Sequence, residues 1–313
     1  MTARLARGFA CFAAGLAAVA TLTACGGKSG SDELTVVAST NVWGDIARTV
    51  AGSDVKVESI INDPSADPHS FELSPVDAAK ISDAELVVYN GGGYDEFIDK
   101  AIAGKNKRNV NAVEIAGEDS HEHGATTTAA PATTGGHDHE HGNEHVWYDV
   151  HVAGEVAEHI AEQLGEIDPA HKDDYAKRAA DFAAQLTAIE AVTTKIAAEH
   201  PNQPVLQTEP LAYYMLLAAK ADDRTPHGFQ EAVEQETDPA PADVAAVRDL
   251  LNGKQVRALV YNIQTESKIT EDLRKTAEST GIPVVNVTET LPEGQTYVQW
   301  MTANAQALAK ALG

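Results

Sequence analysis

Residues 170–199 contain no glycine, and Tyr175, Ala179, Phe182, Leu186, Ile189, Val192 and Ile196 recur along them at spacings of three and four. That period places the apolar residues on one face of a single long helix, so whatever lies on its two sides is joined by a stiff connector. The flanking sequence has a different rhythm. Short β-rich runs at 34–39, 55–61 and 86–90 alternate with helical patterns before it, and runs at 205–208, 258–261 and 283–287 do the same after it. Strands separated by helical segments predict parallel sheets. The expected fold is therefore α/β: two lobes, each a parallel sheet flanked by helices, joined by one connector helix.

Local signals place some elements more closely. Ser74 is expected to cap a helix that has Pro75 at its first position and Asp77 in its first turn, and Asn41 to cap the helix after the first strand. Gly91-Gly92-Gly93 lacks the Lys-Ser/Thr ending of a phosphate loop and is read as a turn. The expected organisation is a signal at 1–24, a tether at 25–32 and an amino-terminal lobe at 33–150 carrying an insert at 117–144. A helical segment at 151–201 with the connector and a carboxyl-terminal lobe at 202–313 complete it.

The amino terminus reads as an export signal. Arg4 and Arg7 precede an apolar run from Phe9 to Val19, too short for a permanent span, and Leu22-Thr23-Ala24 ends in small residues before Cys25. Leu22-Thr23-Ala24-Cys25 resembles the lipobox of bacterial lipoproteins, which implies cleavage before Cys25 and lipidation of its thiol. A multiply acylated cysteine would hold the protein at a membrane surface through the tether 26–31. With Cys11 removed and Cys25 acylated, no thiol is left for a disulfide, and any metal ligands must be His, Asp or Glu. The net charge of −24 repels nucleic acid and anionic substrates and attracts cations.

Six of the twelve histidines fall between His121 and His145. His121, His123, His137, His139 and His141 alternate with acidic residues in a Thr/Ala/Gly-rich stretch too polar to bury itself, the composition of a weak, exchangeable metal-binding loop. A solvated acidic loop is the plainer reading. Further motifs carry a resemblance. Asp67-Pro68-His69-Ser70-Phe71-Glu72-Leu73-Ser74-Pro75, Val88-Tyr89-Asn90-Gly91 and His145-Val146-Trp147-Tyr148-Asp149, in that order, resemble the signature of the cluster A-I solute receptors of zinc and manganese ABC importers. The likeness runs along nearly the whole chain after the signal.

That resemblance implies a transition-metal receptor, not an enzyme, whose four ligands come from both lobes: His69 and His145 from the first, Glu209 and Glu289 from the second. It further implies delivery of the ion to a membrane permease. Glu289 departs from the family pattern, which more often shows Asp there. Three of these residues lie after expected strands, where open parallel sheets place their ligand sites. Each also has a plainer role available: His69 in a turn, Glu209 at a helix amino terminus, Glu289 in solvent. Asp149 is a candidate helix cap or a carboxylate orienting a ligand.

Two imidazoles and two carboxylates suit Zn²⁺, and bidentate carboxylates also suit Mn²⁺ or Fe²⁺; the His-rich insert, which accompanies zinc receptors, favours Zn²⁺. Two other classes share parts of this pattern. A cell-surface metal buffer or adhesin would use the same residues. A secreted zinc hydrolase is disfavoured, because there is no His-Glu-x-x-His or Gly-x-Ser-x-Gly motif and four protein ligands leave no position for water.

Overall fold

The computed structural model describes residues 34–63, 66–122 and 142–313, with the backbone alone for 118–122. The lipidation candidate Cys25 and the loop residues His123, His137, His139 and His141 lie outside the described residues, as does the side chain of His121.

The first lobe runs β1 (Thr35–Thr40), α1 (Asn41–Ala51), β2 (Lys56–Ile61), α2 (Pro75–Asp83), β3 (Leu86–Tyr89), α3 (Glu96–Ile102), β4 (Asn109–Asn111) and α4 (Ala112–Glu122). Then α5 (Val150–Ile167) and α6 (Lys172–Glu199) pack along each other as the helical centre. The second lobe follows as β5 (Pro204–Gln207), α7 (Tyr213–Ala218), β6 (Asp222–Asp223), α8 (His227–Glu234), α9 (Pro241–Asn252), β7 (Ala258–Asn262), α10 (Lys268–Thr280), β8 (Val284–Val287) and α11 (Tyr297–Leu312).

Both sheets are wholly parallel and share one topology, β2-β1-β3-β4 and β6-β5-β7-β8. Parallel strands are covered on both faces, and side chains alternate between them. In the first sheet Val36, Ala38, Leu86 and Val88 face the central helices. Val37, Val87 and Tyr89 face α2 and α3 with Ile81 and Phe97. In the second, Val205, Val260, Val285 and Val287 join the central core while Leu206, Leu259 and Tyr261 join Phe229, Leu251 and Leu273.

The connector α6 buries Tyr175, Ala179, Phe182, Leu186, Ile189 and Ile196, with Thr193 rather than Val192 completing the stripe. Truncating Phe182, fully buried there, would cost about 3–5 kcal/mol.

Sequence signals and structure agree at α2, where the Ser74 hydroxyl accepts from the Asp77 backbone N–H at 3.1 Å. Gly91, Gly92 and Gly93 all take positive φ, and a Cβ on Gly91 would meet Asn111 Oδ1 at 2.2 Å. They form a turn, as expected. At α1 the expectation fails. Thr40 is the N-cap, and the Asn41 side chain instead reaches the second lobe, accepting from Leu291 N–H (3.0 Å) and donating to Leu291 C=O (2.9 Å). Satisfying two backbone groups of a loop outweighs a local cap, which would satisfy one. The same loop is held again where Tyr148 Oη donates to Thr288 C=O (2.6 Å), and just beyond it Tyr297 N–H, at the start of α11, donates to Asp45 (2.7 Å). The segment carrying Glu289 thus belongs to the second sheet but is fastened to the first lobe.

Candidate metal centre

The strand order in each sheet reverses between its two central strands, opening a crevice at their carboxyl ends. In the first lobe, the loop after β2 brings Asp67 and His69 to that edge. Asp67 Oδ1 accepts from both the His69 backbone N–H (3.0 Å) and Nδ1 (2.9 Å), and Ser70 Oγ steadies the other carboxylate oxygen (2.7 Å). This fixes the ring with Nε2 pointing away from the loop, 2.7 Å from Glu144 Oε1. Burial opposes a charge on His69, but hydrogen bonds to Asp67 and Glu144, helped by the nearby Glu289 charge, push its pKa up to about 11. The same hydrogen bond from His69 holds the Asp67 carboxyl well below the usual carboxylate range.

His145 opens a single helical turn, Val146–Tyr148, and is held by the same device. Asn143 Oδ1 accepts from its backbone N–H (2.8 Å) and Nδ1 (3.0 Å). Asn143 is itself anchored to the second lobe, donating to Pro210 C=O (2.9 Å) and receiving Tyr214 Oη on its own carbonyl (2.6 Å). Only 1 % exposed, His145 has its pKa pushed down to about 4 by burial. Its Nε2 sits 3.8 Å from Glu234 Oε1. Tyr94 meets the His69 ring edge-on at 5.0 Å and packs on Trp147 at 4.6 Å, fixing the floor between the two imidazoles.

From the second lobe, Glu209 follows β5 and the end of β7 with its loop holds it: Asn262 Nδ2 donates to one oxygen (3.0 Å) and Thr265 Oγ1 to the other. Burial raises its pKa to about 8. Gln264 in the same loop accepts from the backbone N–H of Glu289 (2.6 Å) and Thr290 (3.1 Å), setting the position of Glu289 after β8. Glu289 is pushed up to about 7 by burial, against the His69 charge and a hydrogen bond from Tyr94. Its Oε1 is buried with no hydrogen-bond partner. Glu234, last residue of α8, is raised to about 7, again by burial.

The four sequence-predicted residues therefore converge unequally. Among the described residues, one set of candidate ligand atoms lies within 4.8 Å of one another: Glu144, His145 and Glu234. His69 joins it through Glu144, while Glu209 and Glu289 face it closely enough to feel the His69 charge. Four carboxylates surround one imidazolium and one neutral imidazole, and the buried Glu289 Oε1 has no hydrogen-bond partner among the described residues. A divalent cation fits such a set.

Comparison with known proteins decides the family. A family model described as "zinc-uptake complex component A periplasmic" matches residues 36–311. The chain belongs to the zinc-uptake component A family. Members are receptors of ABC transporters, not enzymes, and work outside the cytoplasm; among the described residues no helix is long and apolar enough to cross a membrane.

The manganese ABC transporter substrate-binding lipoprotein PsaA of Streptococcus pneumoniae is 26 % identical over 300 residues, 91 % of each chain. The zinc-binding lipoprotein AdcA of the same species is 23 % identical over 304 residues, 92 % of this chain and 58 % of its own. The solved structure of the periplasmic zinc-binding protein TroA from Treponema pallidum matches with a TM-score of 0.71 at 18 % identity, covering 90 % of this chain and 99 % of that one. It shares the two-lobed fold described above.

Sequence reasoning missed several residues of this family member. Asn262 ends β7 and Gln264 and Thr265 follow it, so the strand-end rule that supported Glu209 could have found them. Glu144 was adjacent to His145, but an acidic neighbour alone carries no signal. Glu234 ends an eight-residue helix that no periodicity announced. Asp149 is the N-cap of α5, accepting from the His151 backbone N–H at 3.0 Å, and lies outside the ligand-atom set.

Proposed function

We propose that the protein captures a divalent transition metal, Zn²⁺ first, between its lobes, with His69, His145, Glu209 and Glu289 as the tight ligands, and passes it to a membrane ABC permease. The observation that carries this reading is the buried Glu289 Oε1, left without a hydrogen bond within reach of the His69 charge. A buried acceptor without a donor costs about 1–3 kcal/mol unless something positive meets it. Acylation of Cys25 would tether the receptor at the membrane surface, and the loop histidines His121, His123, His137, His139 and His141 would raise local metal concentration without forming the tight site. The resemblance to AdcA and TroA supports zinc.

Manganese is the second reading, favoured by the carboxylate-rich surroundings and by the resemblance to PsaA. Recovery of the protein from equimolar Zn²⁺ and Mn²⁺, followed by elemental analysis, separates the two. Zinc retained at one ion per chain fits the first reading, and manganese retained overturns it in favour of the second.

A further inference from the structure

The tight set proposed above leaves two carboxylates unused. Glu144 and Glu234 come from opposite lobes, and one oxygen of each lies with a ring nitrogen of His145 inside a 4.8 Å group. Ligands at about 2.0–2.2 Å from one ion sit within such distances of each other. His145 Nε2 and Glu234 Oε1, at 3.8 Å, are too far apart to hydrogen bond and well spaced to share a cation. His145 is 1 % exposed, has its Nδ1 engaged by Asn143, and turns its Nε2 toward Glu234.

Glu234 breaks a local rule as well. It is the last residue of α8, where the helix dipole disfavours a carboxylate. A side chain placed against its own helix field marks a position shaped for something else. Glu144 and Glu234 are half-buried, whereas Glu209 and Glu289 are buried. The unused pair is the outer one.

We infer that Glu144, His145 and Glu234 form an outer holding position for the incoming divalent cation, from which it moves inward while His145 stays bound. This rests on the reading of His69, Glu209 and Glu289 as the inner ligands. One Nε2 holds one ion, so the two positions are alternatives and the stoichiometry stays at one. Glu144 links them mechanically: its Oε1 sits on His69 Nε2 in this structure, and turning toward an outer ion releases that nitrogen for the inner site.

The test uses the full chain with His121, His123, His137, His139 and His141 changed to Ala, so the loop adds no sites. Adding His69→Ala and Glu289→Ala disables the inner position. Titration with Mn²⁺, followed by electron paramagnetic resonance, should show one bound ion per chain at affinity reduced ~100-fold, and further Glu144→Gln and Glu234→Gln changes should abolish it. Binding that survives those two changes, or no binding before they are made, would overturn the outer position. Undiminished affinity in the His69→Ala, Glu289→Ala chain would instead overturn the inner set on which the inference rests. A kinetic arm needs no disabled site: Glu234→Gln alone should slow Zn²⁺ association ~10-fold, and Glu234→Asp should restore most of it. Equal association rates in all three chains would count against the proposal as decisively.

Discussion

The turns Asp67-Pro68-His69 and Asn143-Glu144-His145 have the same construction and opposite electrostatics. In each, a side-chain oxygen two residues upstream accepts from the histidine's backbone N–H and from Nδ1, leaving Nε2 to face the crevice. With a carboxylate in that role, a second carboxylate on Nε2 and a side chain 31 % exposed, His69 holds its proton up to about pH 11. With a neutral amide and full burial, His145 gives its proton up near pH 4. Residue type and ring orientation are identical, so the partner's charge and solvent access set the protonation state. On the proposed reading His145 is the ready ligand and His69 the exchange ligand, which trades a proton and Glu144 for the ion.

The largest expected effect separates the two histidines. His145→Ala removes a ligand already neutral and should weaken Zn²⁺ binding ~1000-fold or more, about 4 kcal/mol, whereas His69→Ala should cost ~100-fold because the wild-type ring must first shed its proton. Chelator-competition titration measures both. The reverse order would break the comparison.

The next is pH. Metal displaces protons held by His69, Glu209 and Glu289, whose pKa values lie at about 11, 8 and 7, so affinity should rise with pH between 6 and 9 and fall as pH drops, with His145 contributing nothing in that window. The metal-free fold should respond oppositely. Groups with raised folded-state pKa hold protons the unfolded chain has lost, so above about pH 6.5, where His145 no longer titrates in either state, melting temperature should fall toward pH 8. Bound metal should remove that slope. Titrations and melts across this range check both signs, and flat affinity would contradict them.

A smaller effect sharpens the comparison. Asp67→Asn gives His69 the neutral partner that His145 has, and should lower its pKa by NMR titration and change affinity ~10-fold. Smallest of all, deleting residues 120–142 should leave tight affinity unchanged and slow capture only when metal is scarce. Loss of tight binding on that deletion would move the site into the loop.

Much of this was legible in the sequence. The seven-residue apolar stripe of α6 gave the connector, and the family resemblance pointed to Glu209 and Glu289 at positions that follow strands, because period and parallel-sheet geometry are local consequences of residue order. The unread part was tertiary. Asn41 looked like a cap and became a clamp on Leu291, since its alternative partner lies 250 residues away. Two-residue β6 and eight-residue α8 are too short to show a period, which hid Glu234. Nothing in Asp67 or Asn143 announces that each steers a histidine, because the same residues two positions before any other side chain would be ordinary turn formers.

The most direct measurement is diffraction from metal-loaded protein with anomalous scattering at the zinc edge. The account predicts one peak within bonding distance of His69 Nε2, His145 Nε2 and carboxylate oxygens of Glu209 and Glu289, with Glu144 turned away from His69. A peak bound by loop histidines alone, or one that leaves His145 uncoordinated, would contradict it.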